Sequence, residues 1–323
     1  MRTVLHALTR QAHSAKTGGP NGLELIAALD LGSNSFHLII AELEGGKLTV
    51  VERLRENVRL SEGLNSQGEF AAAATQRSLA CLQQFADKLK STNATIVRVA
   101  ATSALRRVRD NGEFLAQAEQ TLGHSIDVIS GTEEARLIYG GVVQDMPGSD
   151  ALRLVVDIGG GSTEIILGKG RNPLSLESIN LGSVILTESH FVDGRISEAA
   201  FHHARADARA MLGTLEAVSL SGSGVDAIGA SGTIRATDAA ARELGIITSG
   251  DLTLASVEAL IAYVLEFKST AELSLTTLSE RRSQIWPGGL AILVETMSEL
   301  QIDRLRISDA ALREGLLFEY VNQ

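Results

Sequence analysis

Several residue types are scarce in this sequence, and each scarcity excludes a class of protein. The 323 residues include one cysteine, Cys81, so neither a disulfide framework nor a cysteine-based zinc site can form. Aromatic residues make up 4% of the chain, which argues against a stacking platform for nucleic-acid bases. No segment approaches the ~18 consecutive apolar residues of a membrane span. We therefore expect a cytoplasmic protein without a membrane partner.

Positive charge is also in deficit. The chain carries 29 Lys and Arg residues against 39 Asp and Glu residues, a net charge of −10. General binding of DNA or RNA requires a basic face that neutralises phosphates, so we expect no nucleic-acid partner. A polyanion could still bind locally, through backbone N–H groups, a few placed Arg or Lys side chains, or a metal ion.

Length and composition indicate a globular protein of about two domains, at ~150 residues each. Hydrophobic residues make up 44% of the chain, enough to bury a full core. Strand patterns alternate with helical ones, including a helical stretch over residues 103–123, and this alternation predicts the α/β class. Residues 1–23 carry no acidic residue and are predicted to form a flexible N-terminal extension. Residues 144–150 are the best linker candidate.

A repeat relates the two halves of the chain. Two strand–turn–strand segments share a D-x-G-x-x-S turn, and they align at an offset of 157 − 30 = 127 residues. The shared context of these turns favours a duplicated domain, although chance matching of a short turn is the alternative. The matched pairs are Asp30 with Asp157, Gly32 with Gly159, Ser35 with Ser162 and Ile39 with Ile166.

The second turn, DIGGGSTE at residues 157–164, predicts a phosphate-binding loop. Three consecutive glycines let the backbone turn with positive φ and direct several N–H groups at one point. The alternative is a plain hairpin turn, for which one glycine would suffice. The first turn has fewer glycines but several hydrogen-bonding groups, and two facing loops would grip a phosphate chain between them. The predicted phosphate-binding residues are Gly159, Gly160, Gly161, Ser162 and Thr163 in the second loop, and Gly32, Ser33, Asn34 and Ser35 in the first.

Carboxylates flank both predicted loops. Asp157 and Glu164 bracket the second loop, and Asp30 precedes the first. A carboxylate repels a neighbouring phosphate unless a cation lies between them, and Mg²⁺ uses a few oxygen ligands while it bridges to substrate phosphate. We therefore predict a metal site at Asp30, Asp157 and Glu164. The alternatives are a turn cap for Asp157 and an exposed strand position for Glu164.

A candidate general base lies in ISGTEEARLIYGG, residues 129–141. Ser130 and Glu133 fit the S-x-x-E capping box, which gives Glu133 a structural role at a helix N-terminus. Glu134 lies about 100° further round the helix, where its carboxylate could deprotonate a water that attacks phosphorus. The alternative for Glu134 is a charge that interacts favourably with the helix dipole.

Two further segments predict phosphate contacts. ATSALRRVR places arginines after a strand, and the guanidinium group suits bidentate contact with phosphate. ASGTIRA contains a Ser-Gly-Thr turn after another strand, with Gly232 and Thr233 as second-tier candidates. The sequence has no GxSxG elbow and no HExxH motif, so serine-hydrolase chemistry and HExxH zinc chemistry have no support.

In combination, these motifs resemble the exopolyphosphatase / guanosine pentaphosphate phosphatase family of the actin-like superfamily. The resemblance implies two ribonuclease-H-like α/β domains around an interdomain cleft, in the short two-domain form. The implied first domain comprises residues 24–137 plus 309–323, and the second comprises residues 138–308. The matching segments run in order through AALDLGSNSFHLIIAE, RLSEGL, ATSALR, ISGTEEARLIYGGV, VVDIGGGSTE, LGSVILTE, GASGTIRA and ISDAALREGLL.

The resemblance also implies roles for single residues. Glu134 matches the family's catalytic base, and Asp157 and Glu164 match its catalytic and magnesium-site carboxylates. Arg106 matches an arginine of the family's cleft. The chain departs from the family at Ile185, where many members have arginine. It also ends before the helical C-terminal domains of the long members, from which we expect a preference for short polyphosphates or low processivity.

We therefore expect an exopolyphosphatase that releases terminal orthophosphate from inorganic polyphosphate, with Mg²⁺ or Mn²⁺ as cofactor. The alternatives are a guanosine pentaphosphate 5′-phosphatase and a non-catalytic nucleotide or phosphate sensor of actin-like fold. The low aromatic content offers little to sandwich a guanine base and so favours polyphosphate. A homodimer is a further candidate assembly.

Overall fold

The computed structural model describes residues 24–65, 67–108, 112–146, 151–215 and 225–321. The predicted extension, residues 1–23, and residues 147–150 of the predicted linker lie outside the described part of the chain. The strands are β1 (Glu24–Leu31), β2 (Phe36–Glu44), β3 (Lys47–Glu56), β4 (Ile96–Ala101), β5 (Asp127–Val128), β6 (Leu152–Ile158), β7 (Thr163–Lys169), β8 (Asn172–Ile179), β9 (Asp226–Gly229), β10 (Leu252–Thr253) and β11 (Arg304–Ile307). The helices are α1 (Ala72–Thr92), α2 (Ser103–Arg106), α3 (Gly112–Leu122), α4 (Gly131–Asp145), α5 (Ser183–His190), α6 (Glu198–Leu212), α7 (Gly232–Glu243), α8 (Leu254–Val264), α9 (Glu280–Glu299) and α10 (Leu312–Val321).

The first sheet is built on the hairpin that carries the first predicted loop. β1, β2 and β3 form an antiparallel meander, and β4 and β5 add parallel strands on the other side of β1. Ala27 and Leu29 of β1 face one apolar core, whereas Ile26 and Ala28 face another. Because both faces are covered, the strand is a continuous apolar run rather than an alternating one.

The second sheet repeats this plan. β6, β7 and β8 form the antiparallel meander, β9 and β11 follow in parallel beside β6, and β10 adds an antiparallel edge strand. Leu31 pairs with Phe36 in the first hairpin, and Ile158 pairs with Thr163 in the second. Both partners are shifted by the same 127 residues, so the repeat seen in the turns extends to the register of the strands.

Helices α4 and α10 pack against each other between the two sheets. Their buried residues, among them Leu137 and Leu316, share one apolar cluster with Ala28 of the first sheet and Val155 of the second. α4 is a single helix from residue 131 to residue 145, and the Ser130 hydroxyl caps it by accepting a hydrogen bond from the Glu133 N–H at 3.1 Å. The predicted domain boundary between residues 137 and 138 therefore falls inside a helix that both halves share.

The predicted helical stretch over residues 103–123 is wrong, because the structure divides it into two helices. α2 ends at Arg106 and α3 begins at Gly112, while residues 109–111 lie outside the described part of the chain. The D-N-G sequence at residues 110–112 consists of residue types that favour turns over helices. The early end of α2 leaves the Arg106 side chain beside the first turn of α4.

Candidate active site

A cavity of about 150 Å³ lies where the two hairpin turns meet the first turns of α4, α7 and α10. Both halves of the chain therefore contribute to its wall. Three of the predicted site residues, Arg106, Thr163 and Glu164, do not line it. The predicted residues that do line it are Asp30, Gly32, Ser33, Asn34, Ser35, Glu134, Asp157, Gly159, Gly160, Gly161, Ser162, Gly232 and Thr233.

The two predicted loops face each other at close range. A Cβ atom added at Gly161 would lie 2.6 Å from the Ser103 Oγ atom and 2.8 Å from the Ser33 Oγ atom. A Cβ atom at Gly160 would lie 3.3 Å from the Ser33 Cβ atom. Ser103 is buried, and its hydroxyl has no hydrogen-bond partner within the described residues although it lines the cavity. This free hydroxyl is available to a phosphate oxygen.

The predicted reason for the three glycines needs correction. We expected positive φ angles at residues 159–161, but the described glycines with positive φ lie elsewhere in the chain. Gly160 and Gly161 serve instead to leave room, since a Cβ atom at either position would lie against Ser33 of the opposite loop. The loop's backbone can thereby approach the first half of the chain and a ligand held between the halves.

Glu134 projects from the first turn of α4 into the wall of the cavity, with 10% of its side chain exposed. Arg106 donates from Nη1 to Glu134 Oε2 at 2.7 Å and to the Ile129 carbonyl oxygen at 3.1 Å. Burial raises the pKa of the Glu134 carboxyl, and the Arg106 guanidinium opposes this rise. Arg106 therefore contacts the candidate base from outside the cavity wall, whereas its predicted phosphate contact has no counterpart in the cavity lining.

Asp157 and Glu164 occupy paired positions on β6 and β7. Asp157 lines the cavity, and burial together with the Glu134 charge raises its pKa to about 7. Glu164 is buried behind the loop and accepts a hydrogen bond from the Ser178 hydroxyl at 2.8 Å. Burial, Glu134 and Asp157 raise the pKa of Glu164 well above its usual range. Thr163 is also buried and donates to the Leu181 carbonyl oxygen at 2.5 Å.

The first half carries the equivalent row, with different chemistry. Asp30 on β1 pairs with His37 on β2, and His37 pairs with Arg55 on β3. Arg313 of α10 donates from Nη1 to the His37 Nδ1 atom at 3.0 Å. Burial and neighbouring arginines lower the pKa of His37 well below its usual value, which keeps the ring neutral and able to accept this bond. Burial, with contributions from Glu134 and Asp157, raises the pKa of Asp30 to about 7.

Among the described residues, four arginines line the cavity: Arg55, Arg235, Arg282 and Arg313, here called the arginine cluster. Neutral groups hold two of them, since Arg282 donates to the Thr233 hydroxyl at 3.2 Å and Arg313 donates to the His37 imidazole. Burial and the charges of neighbouring arginines lower the pKa of Arg282 to about 10. The positive charges of these arginines repel one another. A ligand with several negative charges would offset this repulsion, so the cluster suits the binding of such a ligand.

Comparison with known proteins identifies the family of this chain. A model of the Ppx/GppA phosphatase family matches residues 39–323. The chain belongs to the Ppx/GppA phosphatase family. A solved structure of an Aquifex aeolicus member of this family shares 26% identity, covers 93% of this chain and 98% of that chain, and superposes with a TM-score of 0.75.

Two further solved structures show the same fold. An exopolyphosphatase from Cytophaga hutchinsonii is 23% identical, with 93% of this chain and 98% of that chain covered and a TM-score of 0.84. A nucleoside triphosphate hydrolase from Neospora caninum is 11% identical, with 93% and 92% covered and a TM-score of 0.56. The predicted family and the two-domain, actin-like α/β fold are thereby confirmed, as is the general class of phosphatase. Within the described part of the chain, none of the helices combines the length and hydropathy that crossing a bilayer demands.

The acidic residues of this Ppx/GppA phosphatase fit a divalent cation only in part. Among the described residues, no group of three or more His, Cys, Asp or Glu side chains is placed to hold a metal ion by itself. Mg²⁺, however, is held by one or two carboxylates and completes its shell with waters and substrate phosphate. Asp30 and Asp157 supply this pair from the two loops, and a cation would stabilise their ionised forms, which burial disfavours. Glu164, the third predicted ligand, lies behind the cavity wall.

The arginine cluster and His37 are the site residues that sequence reasoning missed in this family member. A signal existed for His37, because the offset of 127 residues aligns it with Glu164, the residue opposite Asp157. Arg235 and Arg313 lie in the segments ASGTIRA and ISDAALREGLL, but neither arginine was predicted to be a site residue. Arg55 and Arg282 carried no such signal. Their side chains meet only because an edge strand, which carries Arg55, and a helix distant in sequence, which carries Arg282, both border the cavity.

Proposed function

We propose that this protein is an exopolyphosphatase, which hydrolyses the terminal phosphoanhydride bond of inorganic polyphosphate and releases orthophosphate. The arginine cluster is the observation that carries this proposal. A protein with a net charge of −10 places these four described arginines at the same cavity as Glu134 and the two facing loops. A chain of phosphates presents the complementary charge at every unit.

The residues of the cavity divide the chemistry between them. Water attacks the terminal phosphorus while the Glu134 carboxylate accepts its proton, and the raised pKa of this carboxyl suits that task. The bond from this phosphorus to the bridging oxygen breaks, and the shortened polyphosphate departs with that oxygen. Mg²⁺ or Mn²⁺ held by Asp30 and Asp157 would neutralise charge on the phosphate oxygens. The arginine cluster binds the remaining phosphates, and Arg106 keeps the carboxylate of Glu134 oriented.

The lining of the cavity favours polyphosphate over a nucleotide. Among the described residues that line it, none is Phe, Tyr or Trp, so no aromatic ring is present to stack on a base. The cavity itself, at about 150 Å³, suits a few phosphate groups rather than a nucleoside. The predicted cytoplasmic location and homodimer remain predictions.

A guanosine pentaphosphate 5′-phosphatase is the second candidate, and one observation favours it. A pocket of about 840 Å³, here called the outer pocket, adjoins the catalytic cavity. Ile285 lines both spaces, and Val184, Phe191 and Leu278 give the outer pocket apolar walls that could receive a nucleoside.

Phosphate release assays decide between these functions. Long polyphosphate, short polyphosphate, guanosine pentaphosphate and ATP are each incubated with the wild type, with and without Mg²⁺, and Glu134→Gln serves as the inactive reference. We expect Mg²⁺-dependent release from polyphosphate at the highest kcat/KM. Faster release from guanosine pentaphosphate would establish the second candidate, and tight binding of a substrate without turnover would indicate a sensor.

A further inference from the structure

Arg281 lies at the N-terminus of α9, in the wall between the catalytic cavity and the outer pocket. It lines the outer pocket, whereas its neighbour Arg282 lines the catalytic cavity. α9 belongs to the core of the second half, in which its Trp286 is wholly buried. The position of Arg281 is therefore set by the second half of the chain.

The guanidinium of Arg281 contacts two segments of the first half. Its Nε atom donates to the Asn34 Oδ1 atom at 3.0 Å, and its Nη2 atom forms an ion pair with the Glu62 carboxylate. Its Nη1 atom donates to the Gln284 Oε1 atom at 3.2 Å, one turn along its own helix. With 11% of its side chain exposed, Arg281 is well shielded from water, which strengthens these charge-assisted bonds.

The two segments that Arg281 contacts already form one unit. The Arg59 N–H donates to the Asn34 carbonyl oxygen, and the Ser61 N–H donates to the Ser33 carbonyl oxygen, each at 2.9 Å. The loop that contains Asn34 is therefore tied to the turn that contains Glu62 by backbone hydrogen bonds. Arg281 holds one side chain of each segment, and so it joins this unit to α9.

We propose that Arg281 is a positioning residue of the reaction. It acts through Asn34, whose side chain it orients in the wall of the catalytic cavity, and it holds the first loop against the second half of the chain. The expected effect on the kinetics of phosphate release rests on the proposed function. Without Arg281, the Asn34 amide loses its orientation and the separation of the two cavities is weakened, so that the terminal phosphate is bound less tightly.

Three variants test the role of Arg281 in phosphate release from polyphosphate. Arg281→Met removes every donor while it retains most of the side chain's bulk, and Arg281→Lys retains the charge but not the three-way geometry. Arg195→Met is the matched control, since Arg195 forms an ion pair with Asp193 at 3.3 Å in which both side chains are 78% exposed. Steady-state kcat and KM are measured for each protein.

We expect Arg281→Met to raise KM on the order of 10-fold while kcat changes by less than about 3-fold, which is the pattern for lost binding. Arg281→Lys should be intermediate, and Arg195→Met should match the wild type. A merely structural role would leave part of the protein inactive and lower kcat at constant KM. That result, or an unchanged KM in Arg281→Met, would overturn the proposal.

Glu62→Gln and the double variant test whether Glu62 acts through Arg281. We expect Glu62→Gln to raise KM in the wild type but not in the Arg281→Met background, since the ion pair is already absent there. Independent, additive effects of the two substitutions would contradict the shared contact.

Hydrogen exchange supplies a readout without turnover. Amides of residues 30–38 and 57–64 should exchange faster in ligand-free Arg281→Met than in the wild type and in Arg195→Met. If the wild type released phosphate from none of the substrates, the proposed function would be wrong. Faster exchange in Arg281→Met would still support the inference that Arg281 holds the first loop against the second half of the chain. Unchanged exchange would overturn that inference.

Discussion

Glu133 and Glu134 are neighbours in sequence but have different environments. The Glu133 carboxylate accepts hydrogen bonds from Arg136 at 2.8 and 2.6 Å, and this pairing lowers its pKa. The Glu134 carboxylate lies in the cavity wall, where burial raises its pKa. The helical step of about 100° thus separates a surface ion pair from a candidate base. The pair provides a test and its control within one turn of helix.

Glu134→Gln is expected to lower kcat by about 10²–10⁴, the usual contribution of a positioned general base. The amide keeps the shape of the side chain but cannot accept the proton of water. Glu133→Gln should leave kcat within about 3-fold of the wild type, because a pair exposed at the surface contributes little. Phosphate release from polyphosphate measures both. Near-wild-type turnover in a folded Glu134→Gln protein would contradict the assignment.

Asp157 makes the ligand-free protein's stability depend on pH. Its pKa rises from 3.8 to about 7 on folding, so between these values the folded state binds more protons than the unfolded state. The free energy of unfolding must then fall as pH rises through this window. We expect Asp157→Asn to raise Tm by a few degrees at pH 8 and to match the wild type at pH 4. Thermal unfolding in EDTA, followed across this range, measures the difference.

Two controls are available for this prediction: added Mg²⁺, and a carboxylate whose pKa is lowered instead of raised. Added Mg²⁺ should raise the Tm of the wild type at pH 8 and have less effect on Asp157→Asn. Glu243 accepts hydrogen bonds from the Thr276 and Thr277 N–H groups, which lower its pKa to about 2. Its contribution is complete above pH 4.5 and is lost as pH falls toward 2, so Glu243→Gln should lower Tm at pH 8. Equal responses of both variants would refute the linkage.

Among the elements, the crossing of α4 and α10 determines how the two halves are assembled. A Cβ atom at Gly141 would lie 2.2 Å from the Ala311 carbonyl oxygen and 2.9 Å from the Gly315 nitrogen. A Cβ atom at Gly315 would lie 2.0 Å from the Leu137 carbonyl oxygen. Backbone touches backbone at this crossing, which places the first turns of both helices, with Glu134 on one and Arg313 on the other, at the cavity.

Two adjacent glycines of α4 test this crossing. Gly141→Ala should lower the free energy of unfolding by about 1–3 kcal/mol, because the helices must separate to admit a methyl group. Apart from the backbone of its own helix, no atom of the described residues lies within 4 Å of a Cβ added at Gly140. Gly140→Ala should therefore raise the free energy of unfolding by about 0.5–1 kcal/mol through helix propensity alone. Urea unfolding measures both. If Gly141→Ala were as stable as Gly140→Ala, the close crossing would be wrong.

Across the whole molecule, net charge and local charge have opposite signs. The chain carries −10 overall, yet the cavity gathers four arginines from β3, α7, α9 and α10. Such a site can neutralise only the few phosphates that reach it, while the acidic remainder of the surface repels the rest of a long polyanion. Substrate binding should therefore depend on the few phosphates inside the cavity and not on the total charge of the polymer.

Polyphosphate length should have little effect on catalysis once the cavity is filled. We expect kcat/KM to stay constant or to fall as the chain grows, and products to appear as a ladder of decreasing length, because the shortened chain dissociates between cleavages. Gel electrophoresis of the products over time provides the measurement. Full-length polymer beside free phosphate, with nothing between, would show processive cleavage and would require a longer channel, such as one built by a homodimer.

The salt dependence of kcat/KM should indicate how many cationic side chains bind the substrate. By analogy with single-stranded nucleic acid, each neutralised phosphate contributes about 0.7 to the slope of log kcat/KM against log salt concentration. Four arginines then predict a slope of about −3 or shallower, and Arg282→Gln should reduce its magnitude by about 0.7. Arg195→Gln, on an exposed ion pair, should leave the slope unchanged. An unchanged slope in Arg282→Gln would remove this residue from the substrate site.

Short-range pattern was enough for the parts of this protein that depend on neighbours in sequence. The repeated D-x-G-x-x-S turn predicted two hairpins, and the S-x-x-E signal predicted the start of α4 at the Ser130 cap. The Glu133 half of the predicted capping box is not observed, because the Glu133 carboxylate pairs with Arg136 instead. Turns, caps and strand alternation follow from the steric and hydrogen-bonding preferences of a few consecutive residues, so they can be read without the fold.

Contacts between distant segments arose only from the packing of the two halves. Arg106 was expected to bind phosphate, but the break after α2 lets it contact Glu134. The glycines of the second loop were expected to provide positive φ, but none of them has it, and Gly160 and Gly161 provide room for the opposite loop. Arg55 and Arg282 meet at one cavity because an edge strand and a helix from opposite halves converge there. Side-chain partners depend on distances through space, and sequence spacing does not encode those distances once the chain has crossed from one sheet to the other.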